Sequence, residues 1–235
     1  MNPKHEQVEM AKKNAALKAV KHIKEGFVVG LGSGSTAAYA IEEIGNRIRH
    51  EGLSIFGVPT SYQAFMLAVK HKIPITTLEE HPRLDLTIDG ADQIDKDLNL
   101  IKGMGGALLR EKIVASASKK FVVIADESKK VKVLGENNHP VPLEVVPFAA
   151  KPIMLKLKEM GGTPILREGK GKVGPTITDN GNVIIDVNFG LIESPSKLES
   201  VLRNLPGIVE TGLFLKMADV VHIGTASGTE TIEKE

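Results

Sequence analysis

Between Leu84 and Ala115 the chain brings together side chains that can move protons and hold charge. Asp89, Asp92 and Asp95 follow one another closely, Lys102 stands beside Gly103-Met104-Gly105-Gly106, and Arg110-Glu111-Lys112 comes just after. A well-placed carboxylate such as Glu111 is worth roughly 10² to 10⁴ in rate as a proton carrier. A lysine at the loop's edge supplies fixed positive charge, and glycines followed by a helix start present backbone N–H groups to an anion or a developing oxyanion. Taken singly, each residue also has an ordinary explanation. Asp89-Gly90 is a turn dipeptide, Asp92 and Asp95 suit solvent, and Glu111 is favoured near a helix N-terminus. The stretch as a whole reads better as an acid/base site.

A second group lies upstream, in Gly32-Ser33-Gly34-Ser35-Thr36. A strand, a Gly/Ser/Thr loop and a helix start form the arrangement that cradles phosphate with amides and hydroxyls. The spacing lacks both the Gly-Lys-Ser/Thr ending of a P-loop and the third glycine of a dinucleotide fingerprint, so a small phosphorylated metabolite suits it better than a nucleotide. A tight turn with Ser35 or Thr36 as a plain N-cap is the alternative. Thr60-Ser61 follows another strand, where open α/β sheets collect ligands. Lys129 follows a further strand and is the second lysine placed towards the cleft; Lys12 and Lys13 read as a solvated face.

The elements that position these groups alternate. A helix is predicted over 5–25, strands over 27–31, 53–58, 72–78, 84–88 and 121–125, and helices over 37–49, up to Val69, and from Ala107. The strand at 84–88 is expected to stop at Asp89-Gly90. Alternating strands and helices predict an α/β, doubly wound, mostly parallel Rossmann-like sheet. Beyond Val133 the order becomes strand 143–148, helix 151–160, strand 163–168, strand 182–189, helix 196–204 and strand 208–214. That β-α-β-β-α-β order predicts an inserted α+β ferredoxin-like second domain. The expected boundaries are 1–133 with 215–235 for the first domain and 134–214 for the second. Asp219–Gly224 is expected to return to the first sheet, and Thr225–Glu235 to fray as a polar tail.

Composition narrows the function classes. Lys+Arg 30 against Asp+Glu 29 leaves a formal charge of +1 over 235 residues, without the basic field of a nucleic-acid binder. There is no cysteine, hence no disulfide, thiolate metal site or thiol nucleophile, in keeping with a reducing compartment. The N-terminus has the pattern of a charged helix rather than a signal peptide, and no apolar run approaches a bilayer span, so a soluble cytoplasmic protein is expected. The seven histidines have no metal-ligand spacing, and no Gly-x-Ser-x-Gly elbow is present.

With these residues in view, the sequence resembles the A-type ribose-5-phosphate isomerases, the metal-independent family of the pentose phosphate pathway. The resemblance runs nearly end to end. It rests on Gly32–Thr36, Thr60-Ser61, Asp89-Gly90-Ala91-Asp92, the run from Lys102 to Lys112, Asp126–Lys129, Pro142–Val145 and Leu205–Phe214. It implies that Glu111 carries a proton between C2 and C1 of ribose 5-phosphate through a cis-enediol(ate). It implies that Asp89, with Asp92, opens the ring and holds sugar hydroxyls, and that Lys102 meets the charge developing on oxygen in place of a metal. Ser33, Gly34, Ser35 and Thr36, then Gly90, Ala91, Gly103, Met104, Gly105 and Lys129, would complete the substrate pocket. No cofactor, nucleic-acid partner or membrane partner is implied, and a homodimer or homotetramer is expected, with the second domain at the subunit contact. One departure is Gln93, where the family usually has Glu; loss of an acid beside Asp92 is expected to alter the electrostatics of ring opening without abolishing activity. A sugar-phosphate sensor, an amino-sugar phosphate isomerase/deaminase and a CoA transferase are the other readings. Intact Glu111 and Lys102 favour the isomerase.

Overall fold

The computed structural model describes residues 3–169, 171 and 173–234. It divides into two units, Met1–Ala91 with Arg110–Lys129 and Met217–Glu235, and Asp92–Leu109 with Lys130–Lys216. Relative to the expected boundaries, the main difference is that 92–109 groups with the second unit. In chain order the elements are α1 (Pro3–Val20), β1 (Val28–Leu31), α2 (Ser35–Glu51), β2 (Phe56–Pro59), α3 (Tyr62–Lys70), β3 (Leu86–Gly90), β4 (Gln93–Ile94), β5 (Leu100–Ile101), α4 (Leu108–Ser116) and β6 (Phe121–Asp126). They continue with β7 (Val141–Val145), α5 (Ala150–Glu159), β8 (Thr163–Leu166), β9 (Val183–Asn188), α6 (Pro195–Arg203), β10 (Ile208–Thr211), β11 (Leu213–Phe214), β12 (Val220–Thr225) and β13 (Gly228–Glu233).

The first unit is built on a six-stranded sheet, β13-β12-β6-β3-β1-β2, in which only β13 runs antiparallel to its neighbour. Its parallel strands therefore follow the doubly wound order 2-1-3-4-5, which reverses between β1 and β3 and collects ligands beyond their carboxyl ends. Strand β1 and the first five residues of β6 read as continuous apolar runs, as suits strands buried on both faces, and β6 is buried throughout. Helix α2 buries Ala37, Ala40, Ile41, Ile44 and Gly45, the spacing of one helical face, and ends at Gly52, whose φ of 73° lets its N–H reach back to the Arg47 carbonyl. Helix α1 presents an alanine face so close to β12 that a Cβ on Gly224 would lie 1.8 Å from the Ala11 carbonyl oxygen.

Three expectations are corrected here. Strand β3 runs through Asp89 and Gly90, which are in register with Val123 and Ile124 on β6, because ladder hydrogen bonds outweigh the turn tendency of the dipeptide. Residues 72–78 form no strand; Lys72 has φ 58° and only Ile75 makes an isolated bridge to Gly57. The expected frayed tail instead turns back at Ala226-Ser227 and lays β13 along all of β12, its Thr229, Thr231 and Ile232 suiting an extended chain. That hairpin also covers His222, which is 1% exposed. Its Nε2 lies 2.9 Å from Nε2 of His22 and its Nδ1 2.9 Å from the Thr231 hydroxyl, with the two imidazoles stacked.

The second unit contains the four-stranded antiparallel sheet β10-β7-β9-β8 with α5 and α6, the strand order and connection of a ferredoxin-like unit. Leu143, Val145, Ile185 and Val187 of the sheet share a core with Ile153 and Leu157 of α5 and Leu202 of α6. The expected strand 208–214 breaks at Gly212: β10 stays in this sheet, while β11 joins β5 and β4 in a three-stranded one. This ladder is what binds 92–109 to the second unit. Among the described residues no helix is long and apolar enough to cross a membrane.

Candidate active site

In the first unit, the carboxyl ends of β1 and β3 lie side by side at the reversal of strand order. Asp89 is fully buried there, and its Oδ1 accepts hydrogen bonds from the Ser33 N–H at 3.0 Å and from its neighbour Gly90 N–H at 2.7 Å. The approach is possible only because Gly32 has no side chain: a Cβ would sit 2.3 Å from Asp89 Oδ1 and 2.5 Å from Asp89 Cα. The Ser33 hydroxyl joins those of Thr60 (2.8 Å) and Ser61 (2.5 Å), and Thr60 in turn donates to the Leu31 carbonyl. Two βα turns are thus tied into one polar floor. Ser61 also caps α3 by accepting from the Ala64 N–H at 3.1 Å.

Helix α2 starts differently. Its N-cap is Gly34, with φ 99° and no side-chain cap, so neither Ser35 nor Thr36 is the plain N-cap considered as an alternative above. Ser35 is exposed and Thr36 partly so, at the positive end of a 17-residue helix. The Gly34 N–H donates to Gln63 Oε1 at 2.8 Å. Reading the sequence did not single out Gln63 as a site residue; its place in the first turn after Thr60-Ser61 was the available signal.

Glu111 sits in the first turn of α4 and is 4% exposed. Further along the same helix, a Cβ on Gly30 would meet Val114, whose carbonyl lies 3.5 Å from the Thr87 hydroxyl, and just past the helix end the Ala117 carbonyl accepts from the N–H of Leu84, three residues before Thr87, at 2.9 Å. The helix therefore runs antiparallel to β3, and Glu111, one turn before Val114, points to the same end of the sheet as Asp89, two residues beyond Thr87 on one strand face. Asp126 ends β6 and accepts from the Ser128 N–H at 3.0 Å and from its hydroxyl, fixing the short 3₁₀ turn that carries the half-buried Lys129.

In the second unit, Lys102 is 2% exposed, with Nζ 5.3 Å from the centre of the Phe214 ring. Its backbone N–H donates to the Gly212 carbonyl at 2.9 Å. The loop that follows turns at Gly103, φ 106°, where a Cβ would meet Leu108 at 2.9 Å and Pro142 at 3.3 Å. Asp92 accepts the Met104 N–H at 3.0 Å, so its carboxylate is engaged in shaping this loop. Gln93 has turned to other work: its amide donates to the Glu136 carbonyl and accepts from the Gly135 N–H, both at 2.8 Å, a pairing a carboxylate could not complete. Arg167, which sequence reasoning passed over, donates through Nη1 to the carbonyls of Gly103 and Met104, each at 3.0 Å. Opposite charges at 167 and 186 on neighbouring strands were the only signal for it. Among the described residues no group of three or more His, Asp or Glu side chains is placed to hold a metal ion.

The family model for ribose 5-phosphate isomerase A (phosphoriboisomerase A) matches residues 56–228. The ribose-5-phosphate isomerase A of Methanothermobacter thermautotrophicus is 52% identical over 94% of this chain and 96% of its own. The solved structure of ribose 5-phosphate isomerase A from Methanocaldococcus jannaschii superposes with a TM-score of 0.92 at 50% identity, over 96% of this chain and 99% of that one. A D-ribose-5-phosphate isomerase in complex with phospho-erythronic acid gives 0.93 at 46% identity, over 96% and 99%. An Asp89 seated against Gly32 at the strand-order reversal, a buried Glu111 and a shaped Lys102 loop thus stand in a chain that, by model and by relatives alike, belongs to the ribose 5-phosphate isomerase A family.

Proposed function

We propose that this chain interconverts D-ribose 5-phosphate and D-ribulose 5-phosphate, as an enzyme of the non-oxidative pentose phosphate pathway. The observation that carries the reading is the match to that family over nearly the whole chain at about half identity. In the proposed reaction Glu111 takes the C2 proton of the open-chain aldose and returns a proton to C1, by way of a cis-enediol(ate). The electron pair released at C2 forms the C1–C2 double bond while charge moves onto O1; a proton then passes from O2 to O1, and as C1 takes its proton from Glu111 the double bond collapses to the C2=O2 carbonyl of the ketose. Burial of Glu111 supports this role, since a carboxylate removed from water is the stronger base towards a carbon acid.

The remaining roles follow the same reading. Lys102 meets the charge on the substrate oxygens, a task its burial strengthens by lowering the local dielectric, so that no metal or other cofactor is required. Asp89 and Asp92 serve ring opening and the sugar hydroxyls. Ser33, Gly34, Ser35 and Thr36 take the phosphate or hydroxyls at the uncapped start of α2, a setting that favours an anion. Gly90, Ala91, Gly103, Met104, Gly105 and Lys129 complete the pocket. The protein is proposed to work in the cytoplasm as a homodimer or homotetramer, with the ferredoxin-like domain, 134–214, at the subunit contact.

The test is to treat purified protein with chelator, add ribose 5-phosphate and follow ketose formation for the unaltered chain and Glu111→Gln. Conversion by the former and a loss of about 10³-fold or more in the variant is expected, given what a positioned base contributes. No conversion by folded, unaltered protein would sink the isomerase reading; binding without turnover would point to a sugar-phosphate sensor.

A further inference from the structure

Arg167 is not a residue that sequence or family motif singles out, yet its side chain is fixed from both ends. Asp186 on β9 holds it by a two-pronged ion pair, Nε to Oδ2 at 2.7 Å and Nη2 to Oδ1 at 2.5 Å, with only 13% of the arginine side chain exposed. Its backbone is equally constrained, donating to the Ile184 carbonyl at 2.9 Å and accepting from the Thr176 N–H at 2.8 Å. From this base the remaining nitrogen, Nη1, reaches the carbonyls of Gly103 and Met104.

Those two contacts set the orientation of two consecutive peptide planes. A trans peptide carries its C=O and N–H on opposite sides, so a carbonyl held on Arg167 sends the following N–H the other way. For the Gly103–Met104 peptide the N–H lands on Asp92 Oδ2, completing a clamp with Arg167 on one side and a carboxylate on the other. For the Met104–Gly105 peptide the N–H of Gly105 is turned away from Arg167 at the exposed tip of the loop, where a Cβ would meet nothing within 4 Å. Glycines at 103, 105 and 106 cannot hold such a shape by themselves, because their backbone freedom is the largest of any residue.

On the isomerase reading above, we infer that Arg167, oriented by Asp186, is a positioning residue for the reaction: it fixes the Gly103–Gly106 backbone, and through it the setting of Lys102, without touching substrate. The ferredoxin-like sheet is thereby a working part of the catalytic apparatus and more than a support. Arginine is required, since one ammonium cannot both fork to Asp186 and reach two carbonyls.

Two measurements on Arg167→Met, which keeps an apolar stem of similar length, decide the matter. Without substrate, amide hydrogen exchange over Met104–Gly106 is expected to quicken by about ten-fold while the β7 and β9 amides keep their protection. With ribose 5-phosphate, kcat is expected to fall about 10²-fold with a much smaller change in KM, the effect of misplacing a group by about 1 Å. Arg167→Lys should recover only part of kcat. Asp186→Asn, which keeps the arginine and loosens its hold, should lose less than Arg167→Met and in the same direction, and it serves if the methionine variant fails to fold. Unchanged loop exchange, or an unchanged kcat despite faster exchange, overturns the inference. Absence of turnover by the unaltered chain would overturn the isomerase reading itself, whereas the exchange measurement, made without substrate, still decides the Arg167 contact.

Discussion

Acidification should strip stability from this protein through His222. Burial first, then the neighbouring His22 and the ammonium groups of Lys18 and Lys120, push His222 from the ordinary 6.5 down to about 4. His22 is lowered as well, again chiefly by burial, with Lys120 the next cause. The sign follows directly. Above about pH 6.5 both the folded and the unfolded histidine are neutral and nothing is lost; below it the unfolded chain takes up a proton that folded His222 refuses until about pH 4. A fall of 2.5, from 6.5 to 4, at about 1.4 kcal/mol per unit amounts to about 3 kcal/mol, most of it lost by about pH 5. With only 1% of His222 exposed, solvent screening does not shrink that figure much. Urea unfolding at about pH 7.5 and about pH 5, at one fixed protein concentration, should show a drop of about 2 kcal/mol or more for the unaltered chain. His222→Gln, which has no proton to take up, should flatten that slope by a similar amount. Equal pH slopes for the two proteins would refute the reasoning.

Gly32→Ala should be far more damaging than its single methyl suggests, because the new Cβ would fall 2.3 Å from the Asp89 carboxylate and 2.5 Å from Asp89 Cα. A stability loss of about 1–3 kcal/mol is expected in denaturant titration, together with a kcat lowered about 10²-fold as Asp89 is pushed from its seat. Ser61→Ala removes the α3 cap and one of the hydroxyls held to Ser33. It should cost about 1 kcal/mol in thermal unfolding and raise KM for ribose 5-phosphate more than it lowers kcat.

The periodic parts of the chain were legible from residues alone. Apolar runs such as Phe121–Ala125 and the helical spacing of Ala37–Ile44 could hardly have become anything else, and the strand-helix order after Val133 was enough for the ferredoxin-like unit. What escaped was set by pairing between distant segments. Polar, threonine-rich Gly228–Glu233 becomes a strand because β12 offers it an edge, and Asp89-Gly90 stays in β3 because β6 holds it there. The site was legible in a similar measure. Asp89, Glu111 and Lys102 announce themselves as charged residues beside glycines, and all three are buried. The use of Asp92 on the Met104 amide, of Gln93 on residues 135–136, and of Arg167 on two carbonyls depends on loop shape, which no spacing encodes.

The chain passes from one unit to the other after residues 91, 109, 129 and 216, and this has a consequence for how it must be made. Everything the second unit needs has left the ribosome once residue 216 has emerged, but the first unit still waits for β12 and β13. Until they arrive, β6 is an open edge, apolar from Phe121 to Ala125, and α1, which already packs on α2 and β6, still lacks the β12 surface that its Ala11 turn lies against. Such an edge is a template for unwanted pairing. The last nineteen residues, 217–235, therefore act as the closure of the first unit. Nonsense or frameshift changes that spare every proposed catalytic side chain but remove this segment should yield aggregated chains, whereas the same loss taken from the turn at Ala226-Ser227 onward should leave β6 paired with β12.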